Sequence, residues 1–180
     1  MDITSIGGLP AHPLLVHMPI VLVPVAFLGA LALAIRRAWV ARFGVLLLIV
    51  GFVAAAGTVL ASQAGETLRD EVPVTDTVRR HADLADATRL LVAIFFVLLL
   101  AWIVLDIRGR RLAAAASSAS VEATDGSRSA SMAIRLVLPI TTLLIGLLAT
   151  IWVVRTGHEG AKATWQNRQL VPRDGGGDGG

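Results

Sequence analysis

Four histidines and one glutamate carry the ligand chemistry this chain can offer: His12, His17, His81, His158 and Glu66. The 180 residues contain no cysteine, which excludes disulfides, thiolate nucleophiles and Cys-ligated zinc or iron–sulfur centres. Imidazole and carboxylate are then the strongest side-chain ligands available. Two or three imidazoles with a carboxylate suit zinc, iron or copper, and two imidazoles facing each other across a bundle can ligate a haem iron. His17, Glu66, His81 and His158 are therefore candidate ligands of a divalent metal ion. His17, His81 and His158 are also candidate ligands of a haem, such as haem b.

Each residue has a plainer alternative. His12 precedes Pro13 and is placed to cap a helix that starts at that proline. With the same start, His17 lies about 6 Å inside the helix, where an ionisable group is costly and by default marks a site. Otherwise it is a neutral imidazole bonded to a carbonyl freed by Pro19 or Pro24. His81 sits in Val78-Arg-Arg-His-Ala-Asp-Leu-Ala-Asp86. At helical spacing Thr77, His81, Leu84, Ala85 and Thr88 share one face, and a solvated helix start is the alternative. His158 lies in Thr156-Gly-His-Glu-Gly160, whose glycines permit a surface turn. Because His81 stands about 13 Å before Leu90, an interfacial metal or proton-handling cluster suits the spacing better than a haem. There is no P-loop, dinucleotide glycine fingerprint, HExxH or Gly-x-Ser-x-Gly motif. The motif survey thus favours a non-enzymatic protein, and no catalytic residue is assigned.

The elements that must position these residues are four apolar stretches, at about 13–35, 43–64, 90–107 and 132–154. They concentrate an apolar content of 55% and a mean hydropathy of +0.73, with charged residues at only 16%. A helix crossing hydrocarbon needs about 20 apolar residues, and runs this long and continuous do not read as strands. In lipid only helices or closed barrels satisfy every backbone group. The fold class expected is all-α, an integral membrane four-helix bundle of up-down topology, forming one domain over 1–171. Residues 113–131, rich in Ala and Ser, read as a flexible cytoplasmic linker, and 172–180 as a disordered tail. The leader before the first span lacks a basic n-region, so the span is expected to be retained.

Charge sets the expected orientation. The first interhelical loop holds Arg36, Arg37 and Arg42 with no acid. Basic residues are equally numerous on the two faces, but the acids concentrate on the terminal one. The positive-inside rule then places both termini outside the cytoplasm of an inner (plasma) membrane. Trp39 and Trp102 are expected at the inner interface, Trp152 and Trp165 at the outer one. On this layout all four histidines and Glu66 share the outer face. No carboxylate lies mid-span, so an ion path through the bilayer centre has no support. The pI of 10.9 reflects arginines flanking spans, and nucleic acid is not an expected partner.

Small residues suggest how the helices meet. Gly57, Ala61 and Gly65 repeat every four residues, with Gly51 and Ala55 before them, and Thr142, Gly146 and Thr150 form a second stripe. Such stripes let helix backbones approach closely. Pro19, Pro24 and Pro139 are expected to bend their helices.

His12-Pro-Leu-Leu-Val-His-Met-Pro19 resembles the opening of a bacterial four-helix membrane protein family, the domain of unknown function 2231 family. The resemblance continues through Gly65-Glu66, Arg80-His81 and Thr156-Gly-His-Glu-Gly-Ala161, over roughly residues 8–167. Met18 departs from it, standing where an aromatic residue is expected. The resemblance implies a four-helix integral membrane protein and brings no activity with it, while the family's histidines look like ligands. Two functional readings follow. One is a module binding a haem or metal ion at the outer-face cluster with a redox or electron-transfer role. The other is a structural or accessory subunit, with a respiratory or other membrane complex as the partner class, whose histidines are purely structural.

Overall fold

The computed structural model describes residues 5–6, 9–10, 14–69, 75–119 and 125–165. Four helices carry the fold: α1 (His17–Ile35), α2 (Val40–Arg69), α3 (Asp76–Ala119) and α4 (Asp125–Trp165). All four are long and apolar enough to cross a membrane. A single 3-10 turn, Arg37–Trp39, joins α1 to α2. Ahead of α1, Ser5–Ile6 pairs antiparallel with Leu9–Pro10. Each helix packs on its neighbours in chain order and α4 closes back on α1. The result is an all-α, up-down four-helix bundle.

The seam repeats at the spacing that keeps one helix face inward. It runs through Val23, Ala26, Ala30 and Leu33 of α1, then Val92, Phe95, Leu99, Trp102 and Ile103 of α3. Ala149 and Val153 continue it on α4. Large apolar side chains such as Val21, Leu28, Leu46, Val97 and Leu144 stay exposed on the outside, as a lipid-facing surface requires. Lipid gives apolar helices no hydrophobic reason to associate, so close packing must hold them together. The small-residue stripes serve that end. Gly57 faces Met18 of α1, Gly51 faces Phe96 and Leu99 of α3, and Gly146 faces Phe95 and Phe27. A Cβ at Gly146 would lie 2.6 Å from the Phe95 ring, so only glycine admits that ring.

Several expected boundaries move, each for a local reason. α1 runs from His17, with Val16 at its N-cap already in a helical conformation and Leu14–Leu15 helical ahead of it. Pro19 falls in the first turn of α1. Pro24 remains inside the helix, as does Pro139 in α4. α3 starts fourteen residues before Leu90, because Thr75 caps it: its Oγ1 accepts the Val78 N–H at 3.3 Å, and Asp76 lies in the first turn. Both features favour a helix N-terminus. At the other end α3 continues to Ala119 and α4 begins at Asp125. Much of the Ala/Ser segment 113–131 is thus helical, as the high helix propensity of alanine favours. With 44 residues, α3 is about 66 Å long, twice the hydrocarbon thickness of about 30 Å. Trp102 is 3% exposed in the core and is not part of an interfacial belt. The expected tail at 172–180, and His12 with Pro13, lie outside the described residues.

Candidate functional site: the histidine end of the bundle

The end carrying His17, Glu66, His81 and His158 is built mainly by α3 and α4. The cap at Thr75 carries α3 past the apolar span, and His81 occupies its second turn. There the ring lies against Gly160 of α4: a Cβ on that glycine would sit 2.9 Å from His81 Cε1. His81 Nδ1 is 3.0 Å from the Thr156 carbonyl oxygen. A carbonyl can only accept, so Nδ1 must carry the hydrogen, which fixes the Nδ1–H form of the neutral ring.

One side-chain pair extends this contact inward. Thr88, two turns on from His81, has its Oγ1 2.8 Å from Thr156 Oγ1. Each hydroxyl also reaches the carbonyl one turn back on its own helix, Leu84 at 2.7 Å and Trp152 at 2.9 Å. Two hydroxyl hydrogens serve three contacts. Only two of the three can be hydrogen-bonded at one time, and a bond across the helices requires one threonine to donate to the other, which then donates to its own helix carbonyl. His81, Thr88 and Thr156 together form a polar link between α3 and α4. Thr88 is buried there, and no buried side-chain nitrogen or oxygen lacks a partner among the described residues.

The other candidate residues surround this link. His17 opens α1 and is exposed. One turn further on, Ile20 Cδ1 would lie 3.4 Å from a Cβ on Gly157. α1 and α3 thus meet the Gly157–Gly160 turn of α4 from two sides. His158 lies within that turn and is exposed. Beside it Lys162 donates to Glu159 Oε1 at 2.8 Å. Glu66 of α2 is exposed and faces a cation: its Oε1 is 3.5 Å from Arg89 Nη1, which belongs to α3. Arg89 also holds Asp86 at 3.2 Å.

The three histidines thus share one end of the bundle, and Glu66 is engaged with Arg89. Among the described residues, no group of three or more His, Asp or Glu side chains is close enough to hold a metal ion. Three residues that organise this end escaped the sequence reading. Thr88 stood on the His81 face, and its spacing could have suggested a role. Thr156 contributes a backbone oxygen and Gly160 an absence of side chain, neither of which marks a partner by residue type.

The family model described as Predicted membrane protein (DUF2231) matches residues 8–171. The chain belongs to this family. Its four apolar helices are those of an integral membrane protein, lying in a lipid bilayer. No curated protein and no solved structure matches the chain. Within the matched region of this DUF2231 chain lie both partners of the α3–α4 link, His81 and Thr156.

Proposed function

We propose that the protein is a non-catalytic structural or accessory membrane subunit, in which His81 acts as a helix-to-helix tie. The observation that carries this reading is the 3.0 Å contact from His81 Nδ1 to the Thr156 carbonyl, with the ring seated on Gly160. The imidazole meets a backbone acceptor that residue-type motifs do not mark, and its packing is that of a structural side chain. Thermal unfolding in mild detergent tests it. His81→Ala should lower the melting temperature, and His81→Asn, which keeps a short N–H donor, should restore part of the loss. Equal melting of wild type and His81→Ala would overturn the reading.

A second reading is favoured by the same bond. An Nδ1–H donated to a carbonyl is the usual way a ligating histidine is oriented through its other nitrogen. His81 would then present Nε2 to a haem b or a divalent metal ion in an electron-transfer role, and for His17, His158 and Glu66 to join it as ligands those side chains must first draw together, since they do not form a metal-holding group as they stand. An absorption spectrum and elemental analysis of the purified protein test it, and the absence of both a Soret band and stoichiometric metal would sink it. In both readings the protein resides in the inner (plasma) membrane with both termini extracytoplasmic, supported by the acid-free arginine loop between α1 and α2. A respiratory or other membrane complex is the partner class that co-purification would test.

A further inference from the structure

At the end of the bundle opposite His81, the α1–α2 corner presents two arginines stacked on two aromatic rings. Arg36 places its guanidinium 5.4 Å from the Trp39 ring centroid, and Arg42 lies 5.4 Å from that of Phe43. The two rings meet edge to face at 6.1 Å and 81°. Trp39 is 42% and Phe43 39% exposed, and both arginines are exposed. Ordinarily such rings would be covered; here they lie at the junction of two apolar spans, where the bilayer interface must fall.

The corner is held before any ligand arrives. Arg36 N–H donates to the Ala32 carbonyl and Trp39 N–H to the Arg36 carbonyl, both at 2.9 Å. Arg110 of α3 clamps it from the side, donating through Nη2 to the Arg37 carbonyl at 2.8 Å. The same arginine holds Asp106 at 2.6 Å through Nε. The corner, residues 36–43, contains no acid of its own. A guanidinium over a ring is attracted to its face, with an N–H edge left to donate. Such an edge matches the oxygens of a phosphate group in a two-pronged geometry.

We propose that this corner binds the phosphodiester headgroup of an anionic phospholipid, with Arg36 and Arg42 donating to phosphate oxygens and Trp39 and Phe43 lying along the glycerol–acyl boundary. A lipid is the occupant because the rings supply an apolar floor at interfacial depth, and because the anion-binding edges carry uncompensated positive charge. The proposal is independent of which side of the membrane the corner faces and of the role of the histidines.

Native mass spectrometry of the full chain released from mixed phosphatidylglycerol–phosphatidylcholine micelles tests it. Wild type should retain one phosphatidylglycerol in preference to phosphatidylcholine. R36Q/R42Q should lose that preference by about twenty-five-fold, taking each arginine near an anionic surface as about five-fold. R108Q/R111Q, at the same end on α3, should leave the preference unchanged. Arg36→Lys keeps the charge and loses the planar stack. It serves where the double variant does not fold, and should weaken retention several-fold. Added inorganic phosphate should not displace the lipid. Equal retention by wild type and R36Q/R42Q, an equal loss in R108Q/R111Q, or displacement by phosphate alone would overturn the proposal.

Discussion

The two ends of the bundle are tied by opposite means. At the histidine end α3 meets α4 through an imidazole on a carbonyl, two threonine hydroxyls, and a glycine that makes room for the ring. At the arginine end α3 meets the α1–α2 corner through a guanidinium shared between a carbonyl and Asp106. The first tie depends on shape and hydrogen-bond direction. The second depends on charge in a half-exposed setting, where arginine donors face water and salt. The α3–α4 tie is therefore expected to be insensitive to ionic strength, and the Arg110 tie to weaken as salt is raised.

The largest effect should come from filling the space beside His81. Gly160→Val places a branched side chain where Cβ alone would lie 2.9 Å from the ring, so the ring must leave Thr156. Overpacking of this kind costs typically 1–3 kcal/mol, and we expect about 2 kcal/mol, read as a lower thermal midpoint. An unchanged midpoint would show that the ring is free to move and that the tie is loose.

Removing the ring itself should cost slightly less. His81→Ala deletes one hydrogen bond and its packing, a loss of about 1–2 kcal/mol. That loss should be the same at low and high salt. The arginine end supplies the contrast. Arg110→Gln should cost at most about 1 kcal/mol, and the cost should shrink as salt is raised. Melting curves of both variants across a salt series measure the difference directly. Parallel salt dependence in the two variants would erase the distinction between the ends.

The smallest effect concerns the threonine pair. Thr88→Val and Thr156→Val are close in shape, and a double-mutant cycle isolates the hydroxyl contact. Interhelical bonds of this type in membranes average about 0.6 kcal/mol, and a coupling of that size is expected. Strict additivity would mean that each hydroxyl serves only its own helix carbonyl.

The fold was largely legible because hydrocarbon demands it. Apolar runs near 20 residues admit one spanning structure, and the spacing of Gly51, Gly57 and Gly146 already marked close helix contacts. What composition could not place was where the helices end. Thr75 extends α3 well past its apolar run. That boundary shaped the site, since it carries His81 on a helix to Thr156 and Gly160 of α4. The grouping of three histidines at one end was readable from topology. The engagement of Glu66 with Arg89 was not, because a pairing between the ends of α2 and α3 depends on rotation about each helix axis. Trp102 illustrates the same point: its sequence position near a span end suggested an interface, while its place on the inward face of α3 decided burial.

The central claim is that His81 donates from Nδ1 to the Thr156 carbonyl and so ties α3 to α4. Nitrogen NMR of histidine-labelled protein in lipid nanodiscs, recorded at pH 8 with His81→Ala to assign the signal, tests it most directly. The expected result at this pH is an imidazole with its hydrogen on Nδ1. A ring protonated only on Nε2 would contradict it, because Nδ1 would then face the carbonyl with no hydrogen to give.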